Sequence, residues 1–186
     1  GGHQLDLTRL DAGVGLAALR QIDKCGRHGR GGTAFGQCAE CHVEHGLEAV
    51  EAAIDGVTDD ELDRRPPSGE WTAREIVHHL ADSESMAYIR LRRLIAEDDP
   101  QIAGYDEPEW ARRLHYDRPV AASIAVVRAV RTASLELLRS LTPDEWARTG
   151  SHSESGAYSV DRWLAIYADH SHEHADQIAR ARRGED

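Results

Sequence analysis

Apolar residues recur at helical spacing through most of the chain. Leu47, Val50, Ile54 and Val57 are three or four residues apart, so they share one face of a helix that starts at about His45. The same spacing recurs in three later stretches: 72–98, 119–141 and 160–182. In the first of these, the buried stripe consists of Ile76, Leu80, Ala87, Leu91 and Leu94. The pattern therefore predicts four long amphipathic helices.

Polar residues mark where these helices begin. Thr72 and Glu75 have the spacing of a capping box, in which each side chain bonds the main-chain N–H of the other residue. Thr58 and Glu61 repeat the spacing ahead of a short helical segment. Ser159 is the predicted cap of the last helix.

Two halves of the sequence resemble each other. The segments VTDDELDRR and LTPDEWART share Thr, Asp, Glu and Arg at matching offsets, and each precedes a long helix that carries histidines. Four long helices in two similar halves predict an all-α four-helix bundle. The connection 100–118 is long enough to cross over the bundle, so the two middle helices need not be antiparallel neighbours.

The amino-terminal part has a different composition. Residues 1–42 include CGRHGRGGTAFGQC, which is rich in glycine and lacks a sustained period. We therefore expect two parts: an irregular extension over 1–42 and a bundle domain over 43–186.

Charge and cysteine content narrow the function classes. The formal net charge of −11 argues against a nucleic-acid-binding surface. No apolar run approaches the roughly 20 residues that span a bilayer. All three cysteines lie within 25–41 and none staples the bundle, so the expected compartment is the cytoplasm.

The stretch YADHSHEHADQI, residues 167–178, holds three histidines. At about 100° per residue, His170 and His174 lie on the apolar side of the last helix, whereas His172 should face water. Two buried imidazoles one turn apart could each bond a carbonyl or carboxylate. We favour the alternative that both ligate one metal ion, since this spacing aims two ring nitrogens at one point.

A third ligand should come from the helix over 72–98. There His79 flanks the buried stripe, while His78 lies on its far side. Three histidines that leave a position open to water or substrate are typical of catalytic metal sites. Glu75 and Asp169 could orient ligands but are more simply a cap and a surface charge.

These residues carry a resemblance to a known family. The stretches GEWTAREIVHHLADSESMAYIRLRRLIAEDDPQIAGYDEPEW, SLTPDEWART and LAIYADHSHEH resemble the DinB-like superfamily, and within it the YfiT-type metal-dependent hydrolases, also described as bacillithiol S-transferases. The resemblance covers about residues 43–182. It implies an up-down-down-up bundle, often a homodimer, with nickel or zinc bound by His79, His170 and His174. The sequence departs from the family pattern at Glu84, where relatives tend to have histidine.

The cysteine segment allows a second metal site. Cys25, His28, Cys38 and Cys41 have spacings that could form a small zinc knuckle, although incidental thiols in an amino-terminal extension are the favoured explanation. CAECH also matches the c-type haem attachment motif, but nothing else in the chain resembles a cytochrome.

The leading functional hypothesis is a metal-dependent enzyme that transfers a low-molecular-weight thiol to an electrophilic small molecule. The alternatives are a hydrolase that uses metal-activated water and a non-catalytic metal-binding stress-response protein.

Overall fold

The computed structural model describes residues 34–186, with side chains from residue 41 onward. The helices of this part are α1 (Ala34–Ile54), α2 (Asp59–Leu62), α3 (Ala73–Ala96), α4 (Glu107–Arg113), α5 (Ala121–Ser140), α6 (Pro143–Trp146) and α7 (Val160–Arg183). The strands are β1 (Gln101–Ile102), β2 (Thr149–His152) and β3 (Gly156–Ser159).

The three predicted helix caps are confirmed. Thr72 accepts from the main-chain N–H of Glu75, whose carboxylate in turn accepts from the N–H of Thr72, so both halves of the capping box are present. Thr58 and Glu61 form the same box at α2. Ser159 caps α7 through a hydrogen bond from the N–H of Arg162.

Long-range contacts give the directions of the four long helices. His42 meets Asp169 while Ala53 meets Arg182, so α1 and α7 run parallel. Contacts of α3 with α5 advance together along both helices, from His78–Ser123 to Glu84–Arg131, and these two are also parallel.

The contacts of α3 with α7 run in opposite senses, from Arg90–Tyr167 to Glu84–His170. The four helices therefore form an up-down-down-up bundle with the ring order α1, α7, α3, α5. The long connection between α3 and α5 makes their parallel packing possible, as the sequence suggested.

The core fills the bundle along its whole length. The predicted stripe on α3 is buried throughout: Ile76, Leu80, Leu91 and Leu94 have no exposed surface, and Ala87 is 1% exposed. From α7, Trp163, Leu164 and Ile178 meet it.

The first helix begins earlier than predicted. We expected it from about His45, but α1 starts at Ala34, so part of the segment expected to be irregular is helical. Gly46 lies within α1, although a mid-helix glycine normally weakens a helix. Here its missing side chain makes room for Arg131 and Ser171, whose atoms lie 3.0 and 3.1 Å from an ideal Cβ position.

The structure contains a small sheet, where the sequence predicted only helices and connections. The segment after α6 forms a β2–β3 hairpin in antiparallel register, and β1 joins β2 in parallel. Within the described chain the sheet order is β1-β2-β3. These strands are too short and too rich in Gly and Ser to show an alternating pattern.

No helix of the described residues is both long enough and apolar enough to cross a membrane.

Candidate metal centre

Three histidines from two helices meet inside the bundle. His79 on α3 and His170 and His174 on α7 each place a potential ligand atom within 4.8 Å of the others. The ring centroids of His79 lie 5.9 Å from His170 and 4.9 Å from His174, and the α7 pair is 4.5 Å apart. The structure thus brings together the three residues that the sequence singled out. We call this group the three-histidine cluster.

Helix geometry explains why these three rings meet. His170 and His174 are one turn apart on the inner face of α7. Because α3 runs antiparallel beside α7, His79 lies level with His174. His79 and His170 are 1% and 3% exposed, whereas His174 is partly exposed and marks the open side of the cluster.

The two remaining candidates on these helices have structural partners. His78 faces α5, where its Nδ1 bonds the hydroxyl of Ser123 and its Nε2 bonds the carbonyl of Arg118. The prediction that His172 faces water is wrong. Its ring stacks on His42 with centroids 4.1 Å apart, because α1 covers this side of α7.

Hydrogen bonds at Nδ1 of His170 and His174 determine which ring nitrogen of each is left to bind a metal. Nδ1 of His174 lies 2.8 Å from the amide oxygen of Gln177, and Nδ1 of His170 lies 3.4 Å from a carboxylate oxygen of Glu84. An oxygen acceptor requires the proton on Nδ1, so Nε2 of each ring keeps its lone pair. A histidine that binds a metal through one ring nitrogen usually donates the N–H of the other nitrogen to a nearby acceptor.

His79 supplies the observation that tests whether a metal fits. Its Nδ1 is buried and has no hydrogen-bond partner among the described residues. A buried polar atom without a partner is costly, so a ring in this state fits a site where a group from outside the chain occupies the cluster. The donor set of three imidazoles suits zinc, nickel, iron or copper.

The protonation states of His79 and His174 also suit metal binding. Burial lowers the pKa of His79 to about 2, and the neighbouring His174 and His170 act in the same direction. Burial and the proximity of His170 lower the pKa of His174 to about 3. At neutral pH these two rings are therefore uncharged, as metal ligation requires.

Other polar side chains line the same region. Arg90 donates to the hydroxyl of Tyr167, whose ring lies 5.8 Å from that of His170. The hydroxyl of Tyr105 is buried without a hydrogen-bond partner among the described residues. Burial raises the pKa of the Glu107 carboxyl, although the nearby His170 and Arg90 oppose this shift. The sequence analysis did not single out these residues, because no spacing pattern marks any of them as functional.

The favoured interpretation of Glu75 as a cap is confirmed, and Asp169 contacts α1 instead of the cluster. Glu75 completes the cap of α3 and pairs with Arg65, and Asp169 bonds His42. Glu84, noted from the sequence only as a departure from a family pattern, is the carboxylate that contacts the cluster.

Trp71 packs against His79 with ring centroids 4.9 Å apart, and Trp163 donates its indole N–H to the carbonyl of Ala87.

The proposed zinc knuckle stays a prediction. Cys25 and His28 lie outside the described residues, as does the side chain of Cys38. Cys41 is half-buried on α1.

Comparison with known families now places the chain. The model of the DinB superfamily matches residues 42–178, well over half of the sequence. The chain belongs to the DinB superfamily. Among its relatives is a protein of Oceanobacillus iheyensis, 41% identical over 122 residues, which covers 66% of this chain and 71% of the relative. YfiT of Bacillus subtilis is 33% identical over 143 residues, covering 74% and 80%. Both relatives are named, provisionally, as metal-dependent hydrolases.

A solved structure supports the same relationship. YfiT from Bacillus subtilis, described as having an unusual four-helix bundle topology, superposes with a TM-score of 0.75 at 27% identity. The match covers 86% of this chain and 92% of that one. The DinB fold therefore extends over the bundle that carries the three-histidine cluster.

Proposed function

We propose that this DinB-superfamily protein is a divalent-metal-dependent enzyme that transfers a low-molecular-weight thiol to an electrophilic small molecule. The observation that carries the proposal is the convergence of three imidazoles on one point, with His174 partly exposed. His79, His170 and His174 would hold the metal. A divalent ion supplies Lewis acidity there and lowers the pKa of a thiol or water that it binds.

The side chains around the cluster perform three tasks. His170 and His174 are held in the Nδ1–H form by Glu84 and Gln177. Trp71 and Tyr167 pack against the cluster and exclude water. Nε of Arg90 and the hydroxyl of Tyr105 are buried donors without a hydrogen-bond partner among the described residues, and they would bind polar groups of a substrate.

The state of Glu84 favours a thiol nucleophile. This carboxylate contacts the cluster but is already paired with Arg131, so it is a poor proton acceptor. A thiol has a pKa near 8.5 and ionises close to neutral pH with little assistance, whereas water depends much more on a base.

Hydrolysis is the second candidate, and Glu107 is the observation that favours it. Its carboxyl is half-buried, and burial raises its pKa, as befits a proton acceptor beside a reacting water. The relatives' provisional name of metal-dependent hydrolase points the same way.

The first experiment measures metal content. The full chain is purified without chelator or affinity metal, and its metals are counted by elemental analysis alongside His170→Ala and His172→Ala. We expect about one ion per chain in the parent and in His172→Ala, which is two residues away but outside the cluster. His170→Ala should lose that ion. Equal metal in all three proteins would refute the site.

The second experiment separates the two nucleophiles. With 1-chloro-2,4-dinitrobenzene and bacillithiol, a transferase forms a carbon–sulfur bond and releases chloride. With 4-nitrophenyl acetate and no thiol, a hydrolase releases nitrophenol. Thiol-dependent turnover that His174→Ala abolishes supports the transferase, and turnover without thiol supports the hydrolase.

A further inference from the structure

A buried ion pair stands directly behind the three-histidine cluster. Arg131 on α5 and Glu84 on α3 are 2% and 3% exposed, and Nη2 of Arg131 donates to Oε1 of Glu84 at 2.9 Å. The same Glu84 oxygen lies 3.4 Å from Nδ1 of His170. We call the chain Arg131–Glu84–His170 the buried relay.

Arg131 is itself fixed by the main chain of two further helices. Its Nη1 donates to the carbonyl of Val43 on α1, and its Nη2 donates to the carbonyl of Tyr167 on α7, both at 2.6 Å. The guanidinium therefore contacts all four long helices of the bundle. A rigid fork held by three hydrogen bonds fixes the direction of the carboxylate that it binds.

The charge of Glu84 determines the tautomer of His170. The guanidinium of Arg131 is always charged, and its buried 2.9 Å bond to this carboxyl keeps Glu84 in the ionised form. An ionised carboxylate accepts hydrogen bonds and donates none, so His170 must carry its proton on Nδ1. Its Nε2 then faces Ser83, at 3.5 Å from the hydroxyl, with its lone pair available.

We propose that Glu84 and Arg131 are positioning residues that fix His170 as the Nδ1–H tautomer and so present Nε2 to the metal. This inference rests on the proposed function for the role of the metal, but the tautomer is a property of the metal-free chain. Replacing such an outer partner typically costs roughly 10–100-fold in metal affinity.

The tautomer is tested first, without metal. Long-range ¹H–¹⁵N correlation spectra of the ¹⁵N-labelled, chelator-treated full chain show which nitrogen of His170 carries the proton. We expect Nδ1–H in the parent and a mixture of tautomers in Glu84→Gln. A proton on Nε2 in the parent would overturn the relay, whether or not the protein binds metal.

Metal affinity is tested with cobalt(II), whose visible absorption reports ligand geometry. We expect Glu84→Gln to bind cobalt roughly 10–100-fold more weakly than the parent and to show altered absorption bands. Leu94→Ala, which creates a buried cavity away from the cluster, is the control for lost stability and should keep the parent affinity and spectrum. If Glu84→Gln matches the parent in both, the inference fails.

A double variant distinguishes weakened metal binding from a failure to fold. Glu84→Leu combined with Arg131→Met removes both buried charges together, so no unpaired charge is left in the core. We expect this variant to fold and yet to show the weakened cobalt binding of Glu84→Gln. Full affinity in the folded double variant would contradict the relay. A parent protein that binds no cobalt, but has His170 as Nδ1–H, would refute the proposed metal function and leave the relay intact.

Discussion

At the scale of single residues, the two histidines of α7 differ in the charge of the group that holds them. His170 donates to the carboxylate of Glu84, whereas His174 donates to the neutral amide of Gln177. A charged acceptor orients a ring more firmly than a neutral one. The ring with the neutral acceptor, His174, is also the partly exposed one.

We predict that Gln177→Leu weakens metal binding by roughly tenfold, at the lower end of the range for outer partners. Leucine fills a similar volume but cannot accept the Nδ1 proton of His174. Competition against a fluorescent chelator measures the affinity. An unchanged dissociation constant would show that the 2.8 Å hydrogen bond has no part in ligation.

Gly46 gives a second prediction at this scale. Alanine normally stabilises a helix interior by about 1 kcal/mol relative to glycine. Here a methyl group would press on Arg131, which is anchored at its far end and cannot move aside without losing its bond to Val43. We therefore expect Gly46→Ala to lower the free energy of unfolding by about 1–3 kcal/mol, as overpacking does.

Urea denaturation monitored by circular dichroism measures this change. Ala52→Gly, at an exposed position of the same helix, is the matched control and reports the propensity difference alone. If Gly46→Ala is more stable than the parent, the contact with Arg131 is not tight.

The residue scale also shows what sequence can predict about the site. The inward direction of His170 and His174 follows from helix periodicity, because both belong to one helix with a clear apolar face. Arg131 could not be assigned, since its partner Glu84 is 47 residues away and nothing local indicates that a charged residue is buried. Buried ion pairs are products of packing, and they carry no periodic signal.

At the scale of elements, α3 is the helix on which the site most depends. It carries His79, Glu84 and Arg90, and its first turn is held by the capping box of Thr72 and Glu75. Thr72 is buried at 6% exposure, so its hydroxyl and the N–H that it satisfies have little access to water.

We predict that Thr72→Ala lowers the free energy of unfolding by about 1–2 kcal/mol, the upper part of the range for lost caps. Thr142→Ala is the matched control, because Thr142 forms the same box with Glu145 on the short, exposed α6. There we expect about 0.5 kcal/mol or less, since water can satisfy the freed N–H. Thermal unfolding measures the loss of stability in each variant. Equal losses would mean that burial does not strengthen the cap at Thr72.

Elements differ in how far their sequences specify them. At the starts of α2, α3, α6 and α7, a side chain bonds the main chain of the first turn. The local sequence therefore specifies where each of these helices begins. The hairpin of β2 and β3 depends on pairing with each other and with β1, which follows α3. Long-range pairing of this kind leaves little trace in a four-residue strand.

At the scale of the whole molecule, buried neutral histidines make stability depend on pH. His152 on β2 is 4% exposed, and burial lowers its pKa, with Arg90 and Arg162 acting in the same direction and Glu154 opposing. In the unfolded chain its value returns to 6.5. Above that pH both states are neutral. Below it the unfolded chain takes up the proton first, so stability falls as the pH falls.

We predict that the free energy of unfolding of the metal-free protein decreases between about pH 6.5 and pH 5. His152→Gln should show a shallower decrease, because one group contributes at most about 1.4 kcal/mol per pH unit. Denaturant titrations at several pH values measure both slopes. Parallel slopes for the two proteins would mean that His152 is not held neutral by the fold.

The ring order of the helices has a consequence for biosynthesis. Helix α1 packs mainly against α7, yet α7 is the last of the four bundle helices to leave the ribosome. Until then, Val50 and its neighbours lack their principal partner, and a nascent chain exposes an apolar surface that chaperones recognise. The same late helix brings His170 and His174. Uptake of a metal ion by the proposed site would therefore begin only when translation of the bundle is complete.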